Sequence, residues 1–65
     1  MKKLDLHGIR HYDVDRQVEN FVLLNKPPLK IITGNSDRMI ELVTSVLHRH
    51  NINYERFIPG QIRVV

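Results

Sequence analysis

Lys3-Leu4-Asp5-Leu6-His7-Gly8 alternates polar and apolar residues near the start of a 65-residue chain. Leu4 and Leu6 point one way; Lys3, Asp5 and His7 point the other. A period of two marks a strand with one buried face. Gly8 ends it, because glycine accepts turn conformations that other residues resist.

Working outward, Asp13 is the expected N-cap of a following helix. Val14, Val18, Phe21 and Val22 fall at i, i+4, i+7 and i+8, which is one helical face. Asn25-Lys26-Pro27-Pro28 stops that helix, since a proline disfavours helical geometry in the residue before it. Leu29 to Ile32 reads as a short, nearly apolar strand of the kind found inside a sheet. Strand, helix and strand in about thirty residues form a βαβ unit. Thr33-Gly34-Asn35-Ser36 is the next loop, and Ser36 is the expected N-cap of a second helix. Met39, Ile40, Val43, Val46 and Leu47 make its apolar stripe. His48, Arg49 and His50 close it, where positive charge suits the helix dipole. Asn51 or Asn53 supplies the left-handed residue beyond. Tyr54 to Ile58 and Gln61 to Val65 read as two more strands. Pro59-Gly60 between them suits the centre of a type II turn.

The order is therefore βαβαββ, and residues 1–65 form one domain. Each helix has a single apolar stripe to bury. A two-layer α/β sandwich satisfies both: a four-stranded mixed sheet with the helices packed against it.

Composition narrows the chemistry. There is no cysteine, so disulfides, thiolate zinc sites and cysteine nucleophiles are excluded. No apolar run approaches the ~20 residues that span a bilayer, so no membrane partner is expected. Met1-Lys2-Lys3 is basic, but Asp5 and His7 interrupt the stretch after it. No signal peptide is read, and a cytoplasmic protein is expected. The net charge of +3 suits phosphate contacts with a nucleic acid.

Two loops come after the first two strands: His7-Gly8-Ile9-Arg10-His11 and Thr33-Gly34-Asn35-Ser36. Ligands of open α/β sheets bind outside the carboxyl ends of strands. Parallel strands would place both loops on one rim. Free amides at the start of the second helix attract anions, Gly34 allows a close approach, and Arg38 adds charge. Asp37 opposes this, and an ordinary capped helix is the other reading. Asp5 and His7 share the polar face of the first strand. A carboxylate beside an imidazole orients it, and such a histidine moves protons. A plain solvated face is the alternative. Among the aromatic residues, Phe21 is assigned to the core, while Tyr12 either stacks on a base or covers the first helix end. His48 and His50 do not share a helical face, so no metal site is read there. No cofactor is implied.

Leu4-Asp5-Leu6-His7-Gly8 resembles the LDLHG motif of Smr (small MutS-related) domains. Ile31-Ile32-Thr33-Gly34-Asn35-Ser36 is similar to that family's glycine-rich segment after the second strand. Met39 to Leu47 resembles the helix beyond that segment, and Gly60 to Val65 the closing strand. The family loop often has a second glycine and a basic residue, where Asn35, Ser36 and Asp37 stand here.

The resemblance implies the fold of the C-terminal domain of translation initiation factor three. Its strand order is 1-2-4-3, only the last strand is antiparallel, and both helices lie on one face. It implies binding to RNA or DNA, with endonuclease activity in several members, and partners such as the ribosome or a larger repair assembly. By position, Asp5 and His7 would be the catalytic pair. Gly8, Arg10, Thr33, Gly34, Asn35, Ser36 and Arg38 would hold the nucleic acid, with no metal. The alternatives are a non-catalytic nucleic-acid-binding module and a protein-interaction domain that docks its sheet face or edge strand.

Overall fold

A computed structural model describes all residues from Met1 to Val65. Six elements succeed one another: β1 (Lys2–Asp5), α1 (His11–Leu24), β2 (Leu29–Ile32), α2 (Asp37–Arg49), β3 (Tyr54–Glu55) and β4 (Gln61–Val64). They build one sheet in the order β1-β2-β4-β3. β1 and β2 are parallel, and β4 runs antiparallel to both of its neighbours, β2 and β3. The sheet order and strand directions expected from the sequence are therefore present.

Register decides which side chains share a face. Leu29 lies opposite Val64, and Ile31 lies opposite Ile62. All four are buried, and Leu4, beside Ile31, packs on them. The intervening residues Lys3, Lys30 and Arg63 occupy the other face. Both helices cover the apolar face: Val14, Val18 and Val22 of α1 join Met39, Val43, Val46 and Leu47 of α2 in one core with Leu6. Each fully buried side chain of this kind contributes roughly 1.5–3 kcal/mol relative to exposure. Two polar ties join the helices: His50 with Glu19 at 2.9 Å and Arg49 with Asp15 at 3.4 Å. Phe21 is half-buried against the same core.

β1 runs Lys2–Asp5 rather than over residues 3–7, β4 ends at Val64 rather than Val65, and two boundaries differ from the sequence reading by three residues. Asp13 is not the N-cap of α1. The cap is Arg10, which makes no side-chain capping bond, and Asp13 lies in the first turn. Ile9 and Val14 stand at the flanking positions of a hydrophobic staple, and both belong to the apolar layer. That packing starts the helix three residues ahead of the acid. Asp13 instead accepts bonds from Arg16 Nε at 2.9 Å and Gln17 Nε2 at 3.3 Å. The Arg16 bond, then the Gln17 bond, lowers its carboxyl below the ordinary value of 3.8.

The second difference is β3, which stops at Glu55 rather than Ile58. Phe57 and Ile58 have no apolar layer above them and are 80% and 59% exposed. A turn closed by Gln61 N–H to the Ile58 carbonyl, 3.1 Å, then leads into β4, with Gly60 at φ +79°.

The remaining signals hold. Ser36 Oγ accepts from Met39 N–H at 3.1 Å and caps α2. Asn51 adopts φ +54° after its last turn. Its amide donates to the His48 carbonyl at 3.1 Å, and that of Ile52 to Leu47 at 2.9 Å. Leu24 ends α1, and the Asn25 side chain donates to the Phe21 carbonyl at 2.8 Å. The Pro27–Pro28 bond is cis.

Candidate functional site

Because β1 and β2 are parallel, their carboxyl ends open on the same rim. β1 extends past its last paired residue: Leu6 N–H donates to the Ile32 carbonyl at 3.0 Å, and Leu6 is buried. That anchor turns the next side chain, His7, outward. Ile9 N–H returns to the Leu6 carbonyl at 3.1 Å, closing a turn with Gly8 at φ +79°.

Asp5 and His7 form a defined pair. Asp5 Oδ1 accepts from the His7 backbone N–H at 2.9 Å and lies 2.7 Å from His7 Nδ1. One carboxylate oxygen thus holds both the chain and the ring. The backbone bond, followed by the ring bond and its charge, holds the Asp5 carboxyl below the ordinary 3.8. With Nδ1 engaged, Nε2 is the free ring nitrogen. The side chains are 68% (His7) and 52% (Asp5) exposed, so the pair stands open at the rim.

Nε2 lies over Gly34. A Cβ built on Gly34 would stand 3.4 Å from it, and Gly34 itself has φ +69°. The second loop is held from an unexpected direction. The Gly60 carbonyl accepts from both Thr33 N–H (2.8 Å) and Gly34 N–H (3.1 Å). A Cβ on Gly60 would lie 3.5 Å from the Gly34 backbone. The turn before β4 is therefore part of the rim. The sequence marks Pro59-Gly60 as a turn and Gly60 as the start of the closing strand, and carries no mark of its contact with the second loop. The available signal was the third glycine, Gly60, directly ahead of the last strand, in a sheet whose last strand pairs with the second.

The expected binding residues divide into three groups. Gly8, Arg10, Asn35 and Ser36 are exposed at the loops. Thr33 is buried, and its hydroxyl donates to the Gly34 carbonyl at 2.9 Å, so it shapes the loop from within. Arg38 is exposed but pairs with Glu41 one turn along α2. The Gly34 amide is committed to Gly60. The amides of Asn35, Ser36, Asp37 and Arg38 donate to no group of the protein. An anion approaching this loop meets those four donors, with the Asp37 carboxylate beside them.

His48 and His50 are engaged elsewhere. His48 Nε2 lies 2.8 Å from the Tyr54 hydroxyl, and His50 Nε2 lies 2.9 Å from Glu19. His11 opens α1 and is exposed, as is Tyr12 at 84%. The two depressions of the surface lie away from His7 and the second loop, on the open sheet face and around Asn51–Asn53.

Comparison with protein-family models, with curated proteins and with solved structures finds no match to this chain.

Proposed function

We propose that this chain is a nucleic-acid-binding domain of the Smr type that cleaves phosphodiesters at His7, with RNA as the substrate the chemistry favours. One observation carries the reading: His7 is oriented through Nδ1 by Asp5, while Nε2 makes no hydrogen bond within the protein and lies above the Gly34 loop. An imidazole oriented this way is suited to proton transfer. RNA brings its own nucleophile in the 2′-hydroxyl. His7 Nε2 takes the proton of that hydroxyl, and its oxygen attacks the adjacent phosphorus. The bond to the 5′ oxygen breaks, and that oxygen takes a proton from water. The products are a cyclic phosphate and a 5′-hydroxyl. The free amides from Asn35 to Arg38, together with Arg10, balance the charge of the phosphate. Asp5 orients the ring and stabilises its protonated form.

A binding-only reading has its own support. Neither depression of the surface is lined by His7 or the second loop, Arg38 is tied to Glu41, and Asp37 stands at the helix start. Substrate is then held without being protected from water.

The test is cleavage of end-labelled RNA and DNA by wild type, His7→Ala and Asp5→Asn. His7→Ala is expected to lose cleavage by about 10²–10⁴-fold, with binding and melting temperature retained because the side chain is exposed. RNA should be cut and DNA spared. Equal cutting by wild type and His7→Ala removes the catalytic assignment. Salt-dependent binding without any product leaves a binding module. Affinity that does not fall as salt rises removes both.

A further inference from the structure

The face of the sheet that the helices leave uncovered carries a row of cations. In register, Lys3 of β1 lies beside Lys30 of β2, and Lys30 beside Arg63 of β4; Glu55 of β3 comes next. Neighbouring strands are about 4.8 Å apart, so three like charges stand side by side. Like charges directly opposed destabilise a sheet. None of the three is paired with a carboxylate, since the ion pairs of the molecule involve other residues, and Glu55 is unpaired too. Asp5 lies two residues along from Lys3, and Glu55 stands opposite Arg63 and lines the same depression, so the five charges keep a net excess of one positive charge, centred on Lys30, which suits a polyanion.

Two further features give the row a direction. Toward the carboxyl end of β1, the next row is Asp5, Ile32 and Gln61, and beyond it His7 lies over Gly34. Lys3 and Asp5 are two residues apart, about 6.6 Å along the strand. The cations and the rim thus share one continuous surface. On the other side, Lys30 and Arg63 line a shallow depression of about 180 Å³ together with Phe57 and Ile58. Phe57 is 80% exposed, an aromatic ring left in water beside two cations. That combination suits a base stacked on a ring with its phosphates on neighbouring cations.

We propose that the open face is a track for single-stranded nucleic acid leading to the His7 rim. Phosphates lie over Lys3, Lys30 and Arg63, and an unpaired base stacks on Phe57. Glu55 closes the row on the β3 side and turns the backbone back toward β1. This rests on the nucleic-acid reading above and adds the strandedness of the substrate. A duplex keeps its bases stacked on one another and has none to offer Phe57.

The test uses the full chain and a fluorescein-labelled oligomer of a dozen uridylates, compared with a hairpin duplex of equal charge, by anisotropy over a range of salt. Wild type is expected to bind the single strand more tightly than the duplex. The Lys30→Gln/Arg63→Gln double variant should flatten the slope of log affinity against log salt by about 1.4, from ~0.7 per phosphate contact. Phe57→Ala should weaken binding on the order of tenfold. The double variant should melt no lower than wild type, because it relieves opposed like charges, so lost affinity will not be lost fold. An unchanged salt slope, or equal binding of the duplex, overturns the track. So does a dimer in sedimentation that Phe57→Ala dissolves, or preferential capture by anionic vesicles. A dinucleotide too short to reach the open face separates the two claims. If wild type and double variant cleave it equally while the slope is unchanged, the track falls and the His7 site stands. If wild type neither binds nor cleaves any of these, both fall.

Discussion

Gly34→Ala and Gly8→Ala form a matched pair that separates a backbone effect from a site effect. Both glycines have left-handed φ, +69° and +79°. Alanine in that region costs roughly 1–2 kcal/mol. The lower entropy of the unfolded alanine chain returns about 0.4–1 kcal/mol. Each variant should therefore lose on the order of 1 kcal/mol, a fall in melting temperature of about 4–8 °C for a domain of this size. The surroundings differ. A Cβ at Gly8 meets nothing within 4 Å, whereas one at Gly34 lies 3.4 Å from His7 Nε2. That contact is at the close edge of ordinary van der Waals distance, so seating the methyl against Nε2 asks at most a few tenths of an ångström of the exposed ring. A misplacement of ~1 Å can cost about 10²-fold in rate, so a shift of a few tenths should cost several-fold. The assay is thermal melting of both variants, RNA cleavage at a temperature where both are folded, and the ring proton shifts of His7 by NMR. The expected result is similar melting for the pair, with changed His7 shifts and slower cleavage only in Gly34→Ala. Unperturbed His7 shifts in Gly34→Ala, or a Gly8→Ala variant equally slow in cleavage, would refute the placement of His7 over the second loop.

Local geometry sets two further outcomes. Ser36→Ala removes the acceptor of the Met39 amide and should cost about 1 kcal/mol, read as a lower urea midpoint with an unchanged slope. Lowering pH should destabilise the fold through Asp5 and Asp13. Both have folded-state values depressed below 3.8, so their contribution is present above that value and is lost as pH falls through the lower, folded one. Asp5→Asn/Asp13→Asn should flatten the acid limb of the melting temperature profile; an unaltered limb would contradict both hydrogen-bond assignments.

Where one face of an element was buried, the sequence pattern was enough to locate it. Leu29–Ile32 occupies the strand read from its apolar run, and Ser36 and Asn51 bracket α2 as expected. Asp13 misled because its residue type suits both a cap and a first turn, and tertiary packing of Ile9 settled which it became. Arg56 to Ile58 looked like strand, but pairing ends at Glu55 and no apolar layer covers Phe57 and Ile58. For the site, His7 and Asp5 were legible because two residues on one strand share a face whatever the fold. The Gly60 carbonyl was not, since a backbone acceptor has no side-chain signature. Nor was the Lys3–Lys30–Arg63 row, because register brings together residues from three distant segments.

The bond between Gly60 and the second loop has a consequence for how the chain matures. β4 is last in sequence but occupies an inner position, between β2 and β3. Until it inserts, β2 has one unpaired edge, and the Thr33 and Gly34 amides lack the carbonyl that fixes them. A chain whose β4 is not yet in place lacks Ile62 and Val64 from its core and has an unset rim. The candidate site comes into being only with the closing strand, so a half-made molecule carries His7 and Asp5 without the surface they work against.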